Sequence, residues 1–268
     1  MRALLALLLL ALAPAAPAGE RPAGRESAHL KPVDLELVLA ADVSDSMTVD
    51  LGRLQRAGYA AALRAPLFAQ AVGTGPRGRI ALAYVEWGDA GLAQVVVPWT
   101  EIAGPDDAAR FADALDRARI ARFTRTSISH ALAFSLALME GNGFAGDRRV
   151  IDVSGNGPNN QGAPVAAARD AAVAAGVTIN GLPILAGLDR PRGAFGLDFD
   201  RRDVAAYYEA CVVGGPGAFV LPVRDAADFA TATLRKLLLE IAGLPRGAGS
   251  RAILSSLLLP AANAASPC

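Results

Sequence analysis

Five consecutive residues, Asp42-Val43-Ser44-Asp45-Ser46, set a carboxylate and two hydroxyls at alternate positions directly after an apolar run. In a tight loop that alternation can turn all three oxygens towards one point. Such hard donors suit Mg²⁺, Mn²⁺ or Ca²⁺ and not a soft metal. A plainer reading competes, in which Ser44, Ser46 or Asp50 caps the helix that follows. Capping alone does not call for an acid at the end of the strand as well.

Other chemistries find fewer residues. Phosphoryl transfer through an aspartate at this place needs a second aspartate two residues on as acid/base, and Ser44 stands there. Serine hydrolysis would have to use His29 or His130, the only histidines, and no serine sits in a G-x-S-x-G elbow. His130 lies one turn into the helix after Thr126 and could face the same place, although a histidine on an apolar helix more often packs or caps. Lys31 and Lys236 are the only lysines, which leaves Schiff-base chemistry little to work with. The two cysteines, Cys211 and Cys268, are too few for a cysteine metal site and do not make a disulfide framework in so long a chain. They could form one bridge, or Cys268 could be free. Two G-x-G-x-x-G strings, residues 73–78 and 141–146, each lie after a helix and before a strand. A dinucleotide phosphate needs the opposite order, so that it meets a helix N-terminus.

The elements that must position the loop follow from apolar patterning and its breakers. Strands are expected over residues 33–40, 79–87, 92–99, 150–154, 177–185 and, briefly, 218–221. Helices are expected over 51–71, 105–119, 127–140, 164–175, 203–211 and 226–242. Gly88-Asp89-Ala90-Gly91 is a hairpin signal that pairs the second and third strands antiparallel. Trp87 and Trp99 in those strands read as packing residues, and residues 214–217 as a turn. The alternation predicts an α/β fold: a doubly wound, mostly parallel sheet with one antiparallel edge strand and helices on both faces. In such sheets ligands bind beyond the carboxyl ends of the strands, where the Asp42 loop leaves the first strand.

The chain has 268 residues, of which 53% are hydrophobic and 19% charged, so it must bury a core. Its 26 basic residues balance 26 acidic ones, which leaves no electrostatic footprint for nucleic acid or anionic lipid. Arg2, the apolar run of residues 3–13 and Ala16-Pro17-Ala18 have the order of a secretory signal peptide. The organisation expected is a signal peptide at 1–18, a leader at 19–32, a domain at 33–243 and a tail at 244–268, with the protein exported to the periplasm or the cell exterior. The apolar stretches at 3–13 and 252–260 are too short to span a bilayer.

Thr126, at the start of the helix after Phe123-Thr124-Arg125, and Val153-Ser154-Gly155-Asn156-Gly157, after the central strand, complete a pattern. Together with D-x-S-x-S it resembles the von Willebrand factor type A (vWA) domain over residues 34–242. That family's metal-ion-dependent adhesion site (MIDAS) joins D-x-S-x-S, a loop threonine and an acidic residue ending the fourth strand. The segments RRVIDVSGNGPNNQG, YYEACVVGGPGAFV and RKLLLEIAG are similar to a family of secreted bacterial vWA-like proteins of uncharacterised function. The resemblance implies Ser44, Ser46 and Thr126 as direct metal ligands and Asp42 acting through a bound water. Asn156 stands where the family pattern has Asp, which removes one negative charge from beside the cation and leaves Asp42 and Asp45 to balance it. Thr126 as a helix cap and Asn156 as a turn residue are the plainer alternatives.

The function implied is a non-catalytic protein-interaction domain whose divalent cation, Mg²⁺ first and Mn²⁺ or Ca²⁺ next, accepts a carboxylate from a protein partner. A metal-assisted hydrolase using the same cation is the alternative from another class, and it lacks a convincing acid/base pair. In a third reading the loops persist as a hydrogen-bonded pseudo-site and the partner binds elsewhere.

Overall fold

The computed structural model describes residues 30–185 and 204–243. The expected signal segment, most of the leader, the tail and Cys268 lie outside the described residues. In chain order the elements are β1 (Lys31–Val33), β2 (Leu35–Asp42), α1 (Val49–Arg64), α2 (Pro66–Gly73), β3 (Ile80–Trp87), β4 (Ala93–Ile102), α3 (Pro105–Arg117) and α4 (Ile128–Leu138). There follow β5 (Phe144–Gly146), β6 (Arg149–Gly155), α5 (Val165–Ala174), β7 (Val177–Pro183), α6 (Val204–Tyr207), a π-helical turn (Tyr208–Val212) and α7 (Phe229–Ala242).

Five strands form the main sheet in the order β4-β3-β2-β6-β7, with only the β3–β4 pair antiparallel. Every residue of β2 is buried because helices cover both faces of the sheet. Leu35, Leu37 and Leu39 pack into one core with Tyr59, Leu63, Phe111, Phe229 and Leu237 from α1, α3 and α7. Val38 and Ala40 point the other way, into a core with Ile128, Leu132, Val165 and Tyr208. The chain leaves β2 towards β3 on one side and later returns to pair β6 on the other. The crevice between the carboxyl ends of β2 and β6 is therefore the topological switch point.

Several elements differ from expectation. Asp34 interrupts the first strand, because its carboxylate accepts the backbone N–H groups of Arg77 and Arg79. The preceding Lys31–Val33 pairs instead with Phe144–Gly146, a two-stranded sheet too short to show in the pattern. The long helix expected over 51–71 breaks at Ala65, whose extended conformation is the one favoured before Pro66. The helix expected over 203–211 is one α-turn, 204–207, followed by the π-helical turn. Residues 218–221 do not form a strand; Val220 makes an isolated bridge to Gly181 of β7 and Val223 one to Ile184 just beyond it, and Pro222, without an N–H, interrupts any ladder there.

One polar cluster is buried beneath α7. Lys236 Nζ lies 2.5 Å from Asp152 Oδ1 on β6 and 2.5 Å from Glu240 Oε1, one helical turn on. Asn180 Nδ2 donates to Glu240 Oε1 over 3.0 Å, and the Tyr59 hydroxyl donates to Asp152 Oδ2 over 3.4 Å. Burial pushes the Glu240 carboxyl up to about 7 and that of Asp152 upward, against the pull of the Lys236 charge on both.

Candidate functional site

The plainer readings of the serines and threonine fail at the helix ends. Thr48, not Ser44 or Ser46, caps α1, its hydroxyl accepting the Leu51 N–H over 3.1 Å. Ser127, not Thr126, caps α4, its hydroxyl accepting the His130 N–H over 3.3 Å. The hydroxyls of the D-x-S-x-S loop and of Thr126 are left for one another.

They meet at the switch point. Ser44 Oγ is 3.1 Å from Ser46 Oγ, and Thr126 Oγ1 donates to Ser44 Oγ over 3.2 Å. Ser46 Oγ donates to Asn156 Oδ1 over 2.6 Å, while Asn156 Nδ2 donates to the Ser46 carbonyl over 3.0 Å. Asp42 lies behind this group, fully buried, with Oδ1 accepting the Ser44 N–H over 2.8 Å and Oδ2 without a hydrogen-bond partner. Burial pushes its carboxyl up to about 6, opposed by the hydroxyl and N–H of Ser44 and the N–H of Asn156. Among the described residues no basic side chain forms an ion pair with Asp42.

Three segments hold these residues. Gln55 on α1 donates to the Asp42 carbonyl over 3.0 Å and accepts the Ser154 hydroxyl over 3.1 Å, which ties the ends of β2 and β6 to the helix. The segment carrying Thr126 crosses the sheet end: Phe123 N–H donates to the Val43 carbonyl and Ser127 N–H to the Gly88 carbonyl. Gly88 must lack a side chain, because a β-carbon there would come within 2.2 Å of Phe123 Cβ. Thr126 is then clamped by Asn160, whose Oδ1 accepts the Thr126 N–H over 2.9 Å and whose N–H donates to the Thr126 carbonyl over 2.8 Å. Asn159 Oδ1 accepts the Ser129 N–H over 3.0 Å. Gln55, Asn159 and Asn160 were not anticipated: an amide side chain within a helix or a Gly/Asn/Pro loop carries no local sign of its partner.

Asp45 is the exception among the expected participants. It is exposed and pairs with Arg122 at 3.1 Å, so it does not join Asp42 in the crevice. Alternation along the loop explains this, since residues 44 and 46 turn inward and residue 45 turns out. The His130 ring lies against Phe134, with centroids 6.1 Å apart, and burial lowers its pKa.

Among the described residues no group of three His, Cys, Asp or Glu side chains converges, so the donor set is one of hydroxyls, an amide oxygen and a single carboxylate. Neighbouring ligands on an octahedral Mg²⁺, with bonds of roughly 2.0–2.1 Å, lie about 3 Å apart. The Ser44–Ser46 and Ser44–Thr126 oxygen separations of 3.1 and 3.2 Å match that spacing. The residues present therefore fit a small hard cation.

Comparison with solved structures shows the same fold. A pilus adhesin, SpaC from Lactobacillus rhamnosus GG, matches over 80% of this chain and 31% of its own, at 14% identity and a TM-score of 0.55. A von Willebrand factor type A structure from Catenulispora acidiphila matches over 78% of this chain and 43% of its own, at 16% identity and a TM-score of 0.52. Proximal thread matrix protein 1 from the mussel byssus, solved with a zinc-occupied MIDAS motif, matches over 78% and 46% at 14% identity and a TM-score of 0.51. The chain thus spans less than half the length of each of these structures. A search of curated proteins finds no match. Residues 32–245 match the family described as a protein of unknown function (DUF1194), so the chain belongs to that family, and its domain is vWA-like.

Proposed function

We propose that the protein is a non-catalytic interaction domain that holds a divalent cation, Mg²⁺ or Mn²⁺, at Ser44, Ser46 and Thr126. Asp42 and Asn156 stand behind these ligands, and a carboxylate of a partner protein completes the site. The observation that carries this reading is Asp42: a carboxylate fully buried, with one oxygen unpartnered, facing hydroxyls at ligand spacing. A buried carboxylate without a countercharge is costly, and a cation at the hydroxyls would supply the missing opposite charge. Bound there, the cation would act as a Lewis acid for an incoming carboxylate. The three hydroxyls are neutral and Asn156 adds no charge, so a divalent ion held by Asp42 alone keeps net positive charge for the partner's acid to balance.

The hydroxyl and amide donors favour Mg²⁺ or Mn²⁺ over zinc, which prefers nitrogen and sulfur, even though a zinc-occupied MIDAS occurs in the mussel protein of this fold. The side chains available for acid/base work lend little to a hydrolase: Asp45 is tied to Arg122, and the His130 ring lies tilted against Phe134. We propose further that the protein works outside the cytoplasm, in keeping with its N-terminal segment. No helix among the described residues is long and apolar enough to cross a membrane.

Calorimetric titration with Mg²⁺ and with Mn²⁺, followed by capture of partners with and without chelator, tests the proposal. Saturable binding that is lost in Ser44→Ala/Ser46→Ala is expected, together with chelator-sensitive capture. Absence of divalent binding would leave the loops as a hydrogen-bonded structure only.

A further inference from the structure

Tyr207 and Tyr208 open the segment YYEACVVGGPGAFV, yet neither belongs to the ligand set. Tyr208 begins the π-helical turn Tyr208–Val212, an element frequent at functional sites. Its side chain is fully buried and its hydroxyl has no hydrogen-bond partner. Asp42 Oδ2 is likewise buried and unpartnered. Both atoms lie close to one point: a β-carbon on Gly155 would lie 2.8 Å from the Tyr208 hydroxyl and 2.9 Å from Asp42 Oδ2. They are therefore less than about 6 Å apart, a gap that one water with two bonds of roughly 2.8 Å spans. Glycine at 155 leaves room beside both atoms, since a β-carbon there would come within 3 Å of each.

We propose that Tyr208 is a positioning residue for Asp42, its phenol donating to Oδ2 over one bridging water. Resting on the cation site proposed above, this gives Asp42 Oδ2 a fixed bond of its own. The Ser44 N–H holds Oδ1, Tyr208 holds Oδ2, and the plane of the acid is set towards the hydroxyls. The adjacent Tyr207 acts on the other wall. Its hydroxyl accepts the Asn159 N–H over 3.2 Å, and Asn159 with Asn160 fixes the segment that carries Thr126 and Ser129. Two successive tyrosines, one ending α6 and one opening the π-helical turn, thereby fix both sides of the crevice, which gives this part of the chain a role beyond core packing.

Tyr208→Phe keeps the ring and removes only the hydroxyl. Outer residues that orient metal ligands typically change affinity by ten- to a hundredfold, and a hydroxyl acting over a water should fall at the low end. The expected result is roughly tenfold weaker Mn²⁺ binding by calorimetry, with the melting temperature of the metal-free protein unchanged or slightly lower. A tyrosine that only packs would leave Mn²⁺ affinity unchanged, and that result overturns the inference. If the unmutated protein binds no Mn²⁺, the cation site itself fails, and a high-resolution metal-free crystal structure decides the tyrosine separately. A water bridging the phenol and Asp42 Oδ2 supports the inference; an Oδ2 without one overturns it.

Discussion

Asp42 and Asp152 sit on neighbouring strands, β2 and β6, and both are fully buried, yet they are treated in opposite ways. Asp152 faces the α7 side of the sheet, where Lys236 supplies a cation from within the chain and Tyr59 a hydroxyl. Asp42 lies at the strand end with Ser44, Ser46 and Thr126 in front of it, and no basic side chain pairs with it among the described residues. A charge completed internally serves the fold. On the proposal above, the charge of Asp42 is left for an external cation, and the sheet's switch point is where an α/β fold places ligands. The comparison predicts that perturbing the first cluster costs stability, and perturbing the second costs cation binding.

The largest effect should come from Lys236→Met. It leaves two buried carboxylates without a countercharge, and breaking a buried pair by removing one partner typically costs about 3–5 kcal/mol. Chemical denaturation reads this directly, and the further change Asp152→Leu should restore part of the loss by removing one orphaned acid. A cost below about 1 kcal/mol for Lys236→Met alone would erase the distinction between the two aspartates, since surface ion pairs are worth that little.

The counterpart at the sheet end is Ser44→Ala/Ser46→Ala. Saturation with a ligand at 100 times its dissociation constant stabilises the native state by about 2.7 kcal/mol, and that Mg²⁺-dependent gain in melting temperature should vanish in the double variant. The metal-free fold should change by only about 1–2 kcal/mol, because the hydroxyls hydrogen-bond mainly to one another and to Asn156. Asp42→Asn should abolish the gain too, while leaving the metal-free protein as stable as before or more so. Equal loss of stability in Asp42→Asn and Lys236→Met would again collapse the comparison.

The two clusters also differ in how they were legible. The Asp42 loop is local: a D-x-S-x-S string after an apolar run announces both the strand end and the donors. Thr126 and Asn156 became visible only by resemblance to a family, since 82 residues separate Ser44 from Thr126 and 110 separate Ser46 from Asn156. The sheet and most helices followed from periodicity and breakers, whereas β1 and β5, three residues each, are too short to carry a period. The Lys236 cluster left no sign at all. A Lys and a Glu four residues apart on a helix read as an exposed pair, and only the docking of α7 over Asp152 and Asn180 makes them a core feature. Tyr208 was hidden in the same way, because a tyrosine in an apolar segment looks like core whether or not its hydroxyl is used.

Acidity gives the two clusters slopes of the same sign over different windows, since burial raises both Asp42 and Glu240. Glu240, raised from 4.5 to about 7 by burial, binds its proton more tightly when folded than when unfolded. Between those values the native state holds more protons, so this group's contribution to stability is greatest below pH 4.5 and declines as pH rises through 7. Stability curves of the metal-free protein between pH 4.5 and 7 should accordingly flatten in Glu240→Gln. The same substitution should leave Mn²⁺ affinity at pH 7.5 unchanged. A curve with the same slope in both proteins would mean that Lys236 already holds Glu240 ionised across the window.

The smallest and most local effect concerns the charge that the crevice lacks. Asn156→Asp places a second carboxylate beside the hydroxyls, and two contributions then oppose each other. In the metal-free protein the change removes the Nδ2 donor that bonds the Ser46 carbonyl over 3.0 Å and sets an anionic oxygen against that carbonyl. Loss of one such bond costs about 1 kcal/mol. With a cation bound, the added charge attracts it by up to roughly 4 kcal/mol at 4 Å for an effective dielectric of 20, of which solvent screening leaves a part. Attraction to the cation should win, giving about tenfold tighter Mg²⁺ binding, equivalent to about 1.4 kcal/mol, alongside a slightly less stable metal-free fold. Partner capture should weaken at the same time, because a cation neutralised by two protein carboxylates is a poorer acceptor for a third. Calorimetry on both variants, with capture at saturating Mg²⁺, measures each half. Unchanged Mg²⁺ affinity would place residue 156 outside the cation's reach, and its bonds to Ser46 would then be wholly structural.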